Sequence, residues 1–180
     1  IYHFAPYEPA ALKRLMGRHA TREEELDFLL RSDRFVDLHQ VVRESLRIGV
    51  ESYGLKHLEA VFGYERDLDL RDASLAMRAV ERALELGQGA SITDEERDRV
   101  ALYNRDDCVS TLRLRDWLEE VRAEQVAGGT EIARPSIPDG AASDNLQEVI
   151  DRKRVLAERL TAGLPELAEE RTSEEQGQWL

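Results

Sequence analysis

One long helical pattern near the middle of the chain constrains the fold more than any other feature. Thr93-Asp94-Glu95-Glu96 reads as a capping box, in which a threonine hydroxyl and a glutamate carboxylate satisfy the first orphan amides of a helix. From there apolar residues recur at helical spacing to about Arg122, ending in Trp117, Leu118 and Val121. The face carrying Val100, Tyr103, Asp107, Ser110 and Leu114 differs from the one carrying Ala101, Cys108, Leu112 and Arg115.

Tyr103 and Asp107 stand four residues apart, so one helical face presents a phenol beside a carboxylate. Phosphodiester hydrolysis uses that combination: oxygen ligands for Mg²⁺ or Mn²⁺, and a hydrogen-bonding group that orients the attacking water. A Tyr-x-x-x-Asp pattern alone is common in unrelated helices, so the surrounding residues have to carry the reading.

Composition narrows the classes. The chain has 180 residues, 42% of them hydrophobic, which supports a real core and excludes wholesale disorder. A formal net charge of −12 repels phosphate backbones, so contact with nucleic acid has to be local, bridged by metal or supplied by neighbouring parts. Cys108 is the single cysteine, which excludes an internal disulfide framework and a cysteine-based zinc cluster and fits a reducing cytoplasm. His3, His19, His39 and His57 show no metal-ligand spacing. No apolar run approaches the roughly 20 residues that span a bilayer, and no signal peptide opens the chain, so no membrane partner is expected.

Other elements follow from punctuation. Ile1 to Ala5 reads as a buried strand that turns at Pro6 and Pro9 into a helix, with Glu8 at the junction. Thr21-Arg22-Glu23-Glu24 reads as a capping box for an acidic helix with Leu26, Leu29 and Leu30 inward. Phe35-Val36-Asp37-Leu38 leads into a helix that Gly49 stops; Ser52 caps the next, which ends at Gly63. Asp67 to Asp72 is an acidic connector, and Ala73 to Leu86 is helical. Residues 123–142, with Ala127-Gly128-Gly129 and Arg134-Pro135-Ser136-Ile137-Pro138-Asp139-Gly140, read as a linker. The segment 143–180 is helical and acidic: Asn145 to Leu160 forms a helix, Gly163 and Pro165 break it, and Ser173-Glu174-Glu175-Gln176 starts another.

The run Tyr103-Asn104-Arg105-Asp106-Asp107-Cys108, followed by an apolar helix, resembles the third motif of tyrosine-type DEDD exonucleases, which have a ribonuclease-H-like fold. Four blocks stand in the order seen in RecB-like nucleases of bacteria: Tyr2-His3-Phe4-Ala5-Pro6-Tyr7-Glu8, Phe35-Val36-Asp37-Leu38, Ser52-Tyr53-Gly54-Leu55-Lys56 and Tyr103-Asn104-Arg105-Asp106-Asp107. The resemblance covers residues 1–122. It implies an α/β, ribonuclease H-like fold, present here as a mostly helical C-terminal fragment with one or few strands. It also implies nuclease and superfamily 1 helicase domains in the same polypeptide and a nucleic-acid substrate, DNA before RNA.

Carried over residue by residue, the resemblance makes Asp107 a ligand of Mg²⁺ or Mn²⁺ and Tyr103 the phenol that positions water. Glu8 takes the second-motif acidic place, where related enzymes have Asp. Asp37 and Asp106 take supporting roles, and Lys56 and Arg105 are candidate phosphate contacts. Plainer readings stand beside these. Glu8 is then a first-turn carboxylate favouring the helix dipole, Asp37 a helix-start acid, Lys56 and Arg105 members of i,i+4 ion pairs, and Cys108 a small buried residue.

The family's first motif, Asp-x-Glu on a leading strand, is missing; Asp67-Leu68-Asp69 is its nearest imitation and lies in the wrong place. The sequence therefore reads as a piece of a longer polypeptide, inactive by itself. Two functions are expected: a metal-dependent nuclease domain, of 3′-to-5′ exonuclease type, or a degenerate module that positions its neighbours. Helices without their full sheet leave apolar faces, so the isolated piece is expected to form a homodimer.

Overall fold

Two short strands lie parallel, β1 (Tyr2–His3) and β2 (Val36–Asp37), with Tyr2 opposite Val36 and His3 opposite Asp37. The Val36 amide donates to the Ile1 carbonyl at 2.9 Å and extends the pairing by one residue. Parallel strands need a long crossover, and here it runs through α1 (Tyr7–His19) and α2 (Glu23–Arg31). The structure is a computed structural model that describes residues 1–165 and 167–179. Beyond β2 come α3 (Leu38–Ser45), α4 (Leu55–Phe62), α5 (Leu70–Glu85), a 3-10 turn at Gly89–Ser91, α6 (Asp94–Ala127), α7 (Asp144–Thr161) and α8 (Ser173–Trp179). A mostly helical chain with two parallel strands is consistent with a fragment of an α/β fold. No helix among the described residues is long and apolar enough to cross a membrane.

The chain divides into two units, Ile1–Glu8 with Val36–Pro135 and Pro9–Phe35 with Ser136–Leu180. The first is built around α6, which spans 34 residues, roughly 50 Å at helical rise. Its capping box forms as expected: the Thr93 hydroxyl accepts the Glu96 amide at 3.2 Å, and the Glu96 carboxylate accepts the Thr93 amide at 2.8 Å. Leu38 and Val42 of α3, Leu58 of α4 and Leu114 of α6 are the buried core, flanked by Phe4, Val36, Phe62, Trp117 and Leu118. The α5 helix packs on α6, and its buried positions are Ala73 and Ala76, small enough for close approach. After α6 the chain is tied back to that helix, because Arg134 pairs with Glu119 at 2.5 Å and Arg122 donates to the Ile132 carbonyl at 2.7 Å. These bonds to Arg134 hold the Glu119 carboxyl below the usual carboxylate range.

The second unit contains α2, whose buried residue is Leu26, together with α7 and α8. Gly140 sits at φ +75°, and a Cβ there would meet the Phe28 ring at 2.9 Å, so only glycine fits. Its carbonyl accepts from Arg31. Thr172 and Glu175 cap α8 reciprocally, one residue before the expected start; Leu180 falls outside the described residues.

Several boundaries differ from expectation. Thr21 makes no box: Arg22, left-handed at φ 59°, is the N-cap, so α2 starts one residue too late for Thr21 and Glu24, and Arg22 pairs with Glu25 instead. The α3 helix stops at Ser45 and not at Gly49, because Leu46 is extended and the next residues carry Ile48 and Val50 onto the core. Gly54, not Ser52, is the N-cap of α4; the Ser52 hydroxyl accepts the Gly54 amide at 3.0 Å in the turn before it. The acidic connector ends early, since Asp69 caps α5 by accepting the Arg71 amide at 2.8 Å.

Leu114 is fully buried among α3, α4 and α6. Leu114→Ala is expected to destabilise the first unit by about 2–5 kcal/mol, read as a lowered midpoint in urea unfolding; an unchanged midpoint would contradict this core.

Candidate active site

Three parts of the first unit supply the site: α4, the loop that follows it, and the middle of α6. Gly63 is left-handed at φ 69° and ends α4, which turns the chain so that Tyr64 and Arg66 run back toward α6. On α6 the residues Tyr103, Asp106, Asp107 and Ser110 follow one another at helical spacing.

The Arg66 guanidinium is the centre of the cluster. Its side chain is 8% exposed and forks onto Glu59 of α4, itself 9% exposed, through Nε at 2.9 Å and Nη2 at 2.6 Å. The same Nη2 donates to Asp107 Oδ1 at 2.7 Å. Ser110 completes the group by donating to Glu59 Oε1 at 2.8 Å. Burial works against the charge on Arg66, but the hydrogen bonds from Glu59 and Asp107 and their negative charges outweigh it, so the guanidinium binds its proton more tightly than usual. Nη1 is buried without a hydrogen-bond partner.

Tyr103 sits beside this pair. The Arg66 guanidinium lies 5.7 Å from its ring centroid, and Lys56 Nζ lies 4.9 Å from the centroid while donating to the phenol oxygen at 3.1 Å. One turn over, Asp106 is 1% exposed, and its two carboxylate oxygens accept from the Tyr64 hydroxyl at 3.0 Å and the Leu68 amide at 3.3 Å. Burial first, then the hydrogen bond and charge of Asp106, push the Tyr64 phenol up to about 12.

Tyr103 and Asp107 thus share a face as expected, and the partner they share is Arg66. Glu8 lies in the first turn of α1, half exposed, with its carboxylate 3.9 Å from His3. Asp37 is the N-cap of α3: its Oδ1 accepts the amides of Ala5 and His39, both at 2.9 Å, which is the helix-start role. Arg105 pairs with Asp67, and Lys56 bonds Tyr103, so neither forms the expected i,i+4 pair. Cys108 is exposed and not buried, because α6 turns Asp106, Ser110 and Leu114 inward and Cys108 falls between them on the other side. Glu59, Tyr64 and Arg66 were not legible as site residues. The available signal was an arginine between two acids, Glu65-Arg66-Asp67, near in number to the only Glu on α4.

A protein-family model of the RNase_H superfamily (RNase_H_2) matches residues 1–119, about two thirds of the chain. The chain belongs to the RNase H superfamily. No curated protein and no solved structure matches it. Superfamily members are generally hydrolytic nucleases that use divalent metals. The residues brought together here do not by themselves fit such a metal. No group of three His, Cys, Asp or Glu side chains converges among the described residues. Asp107 offers one carboxylate with an oxygen held by a cation, and both Asp106 oxygens are engaged.

Arg66→Met leaves Glu59 buried without its counter-charge. It is expected to cost about 3–5 kcal/mol, measured by denaturant unfolding, and a loss below ~1 kcal/mol would contradict the buried pairing. Tyr64 gives a second test. Its proton is held more tightly in the folded chain than at the ordinary value of 10, so the stability it confers is complete below pH 10 and is lost as pH rises toward 12. An alkaline absorbance titration should show a component near pH 12 that is absent in Tyr64→Phe; a wild-type curve without that component would contradict it.

Proposed function

We propose that residues 1–122 belong to a nuclease domain that hydrolyses nucleic-acid phosphodiesters, DNA before RNA, and works from a 3′ end as tyrosine-type DEDD exonucleases do. Tyr103 is the phenol that orients the attacking water, and Asp107 is the acid beside it. The observation that carries this reading is the convergence of the Tyr103 phenol and the Asp107 carboxylate on one face of α6, with Lys56 donating to the phenol oxygen. Glu8, on the same unit, is the second acid of the proposed set, and Arg105 the outer phosphate contact.

Hydrolysis by this domain needs further carboxylates beyond those that residues 1–180 gather around Asp107. Two-metal chemistry requires several convergent acids, so the activity is assigned to the natural protein that carries this segment, assayed with Mg²⁺ or Mn²⁺ supplied. Neighbouring RecB-like nuclease and helicase domains in the same polypeptide are part of the proposal. A second reading, a degenerate module that positions such neighbours, is favoured by one observation: Arg66 neutralises Asp107.

The test is degradation of 3′-ended DNA and RNA by the natural protein in Mn²⁺, with any other nuclease region disabled. Tyr103→Phe keeps the ring and removes only the hydroxyl; it is expected to lower the rate by on the order of 10²-fold or more, and Asp107→Ala to abolish it. Wild-type rates in both variants would overturn the nuclease reading in favour of the scaffold.

A further inference from the structure

The bond between Lys56 and Tyr103 has a direction that the chemistry of the two groups fixes. A lysine ammonium has three donors and no lone pair, whereas a phenol oxygen both accepts and donates. At 3.1 Å the bond therefore runs from Lys56 Nζ to a lone pair of the Tyr103 oxygen. The phenol's own hydrogen is excluded from that line and has to find another acceptor. Without Lys56 the hydroxyl turns freely about its C–O bond, and a solvent water serves as its donor or its acceptor with equal ease.

We infer that Lys56 is a positioning residue for the Tyr103 phenol: by occupying a lone pair of its oxygen, the ammonium commits the phenol to donating its hydrogen to an incoming oxygen atom of water or phosphate. This rests on the nuclease reading and adds to it a residue that acts through Tyr103. Two features of the site support the assignment. Lys56 is exposed, but its backbone is held in the first turn of α4, two residues before the buried Leu58. Its ammonium also lies 4.9 Å from the Tyr103 ring centroid, so the attraction of cation and ring holds the same arrangement that the hydrogen bond requires. The neighbouring carboxylates do not compete for it: Glu59 is forked by Arg66 and bonded by Ser110, and Asp107 is paired with Arg66.

A phosphate contact and a positioning role make opposite kinetic predictions. A lysine that binds substrate backbone raises KM when removed and leaves kcat alone; one that sets the phenol's hydrogen lowers kcat. In the natural protein, degradation of 3′-ended DNA in Mn²⁺ is measured for Lys56→Met, Lys56→Arg, Tyr103→Phe and the Lys56→Met/Tyr103→Phe pair, together with melting temperature. Lys56→Met is expected to lower kcat about tenfold with KM and melting temperature unchanged. Lys56→Arg, which keeps a donor, recovers part of the loss. In the Tyr103→Phe background Lys56→Met has no further effect, because the oxygen it acts on is gone. A rise in KM alone, multiplicative losses in the pair, or a Lys56→Arg as slow as Lys56→Met would overturn the inference while leaving the nuclease reading intact. An unchanged rate in Tyr103→Phe would overturn the inference, and an unchanged rate in Asp107→Ala as well would bring down the nuclease reading with it.

Discussion

A buried guanidinium forked onto a buried carboxylate is the interaction on which the arrangement of the site depends. Arg66 and Glu59 are both withdrawn from water, and neither charge is tolerable there without the other. Their pairing fixes the loop after α4 against that helix, and the second bond, to Asp107, fixes the same loop against α6. Two consecutive segments and a third 41 residues further on meet at one side chain. The left-handed Gly63 makes this geometry possible, since it reverses the chain within a residue of the end of α4.

From that anchor the neighbouring features follow. Tyr64 and Leu68 flank Arg66, and both reach Asp106, so the loop is bonded to α6 through two adjacent acids, one buried and one a third exposed. Asp106 is consumed by structure, whereas Asp107 keeps part of its surface beside the Tyr103 phenol. The doublet Asp106-Asp107 thus divides its labour by helical rotation: a step of about 100° turns one carboxylate inward and leaves the next at the rim. Lys56, three residues before Glu59 on α4, lies on the same side and closes the cluster over Tyr103.

The features that sequence revealed were those set by local periodicity. The capping box at Thr93, the start of α6, the glycine end of α4 and the shared face of Tyr103 and Asp107 are all consequences of helical spacing, and the four motif blocks carried the superfamily; α6 itself runs on to Ala127, five residues into the expected linker. The cap at Asp37 was visible as a helix-start acid for the same reason. What escaped was non-local. Arg66 sits in a stretch that reads as a solvated acidic connector, and its burial depends on Glu59, Asp107 and Ser110, none of them its neighbour in the chain. Thr21 misled because a left-handed Arg22 shifts the helix by one residue, a backbone choice that composition does not announce. Cys108 misled because α6 is covered on one side of this stretch only.

The most direct measurement of the account is the coupling between Arg66 and Asp107 in a double-mutant cycle of folding stability, using Arg66→Met, Asp107→Asn and their combination. If one guanidinium holds the acid of the phenol–carboxylate pair in place, the two substitutions are non-additive by roughly 0.5–3 kcal/mol. Strict additivity would mean that Asp107 is free of Arg66, and the site would then have no internal support for the position of its acid.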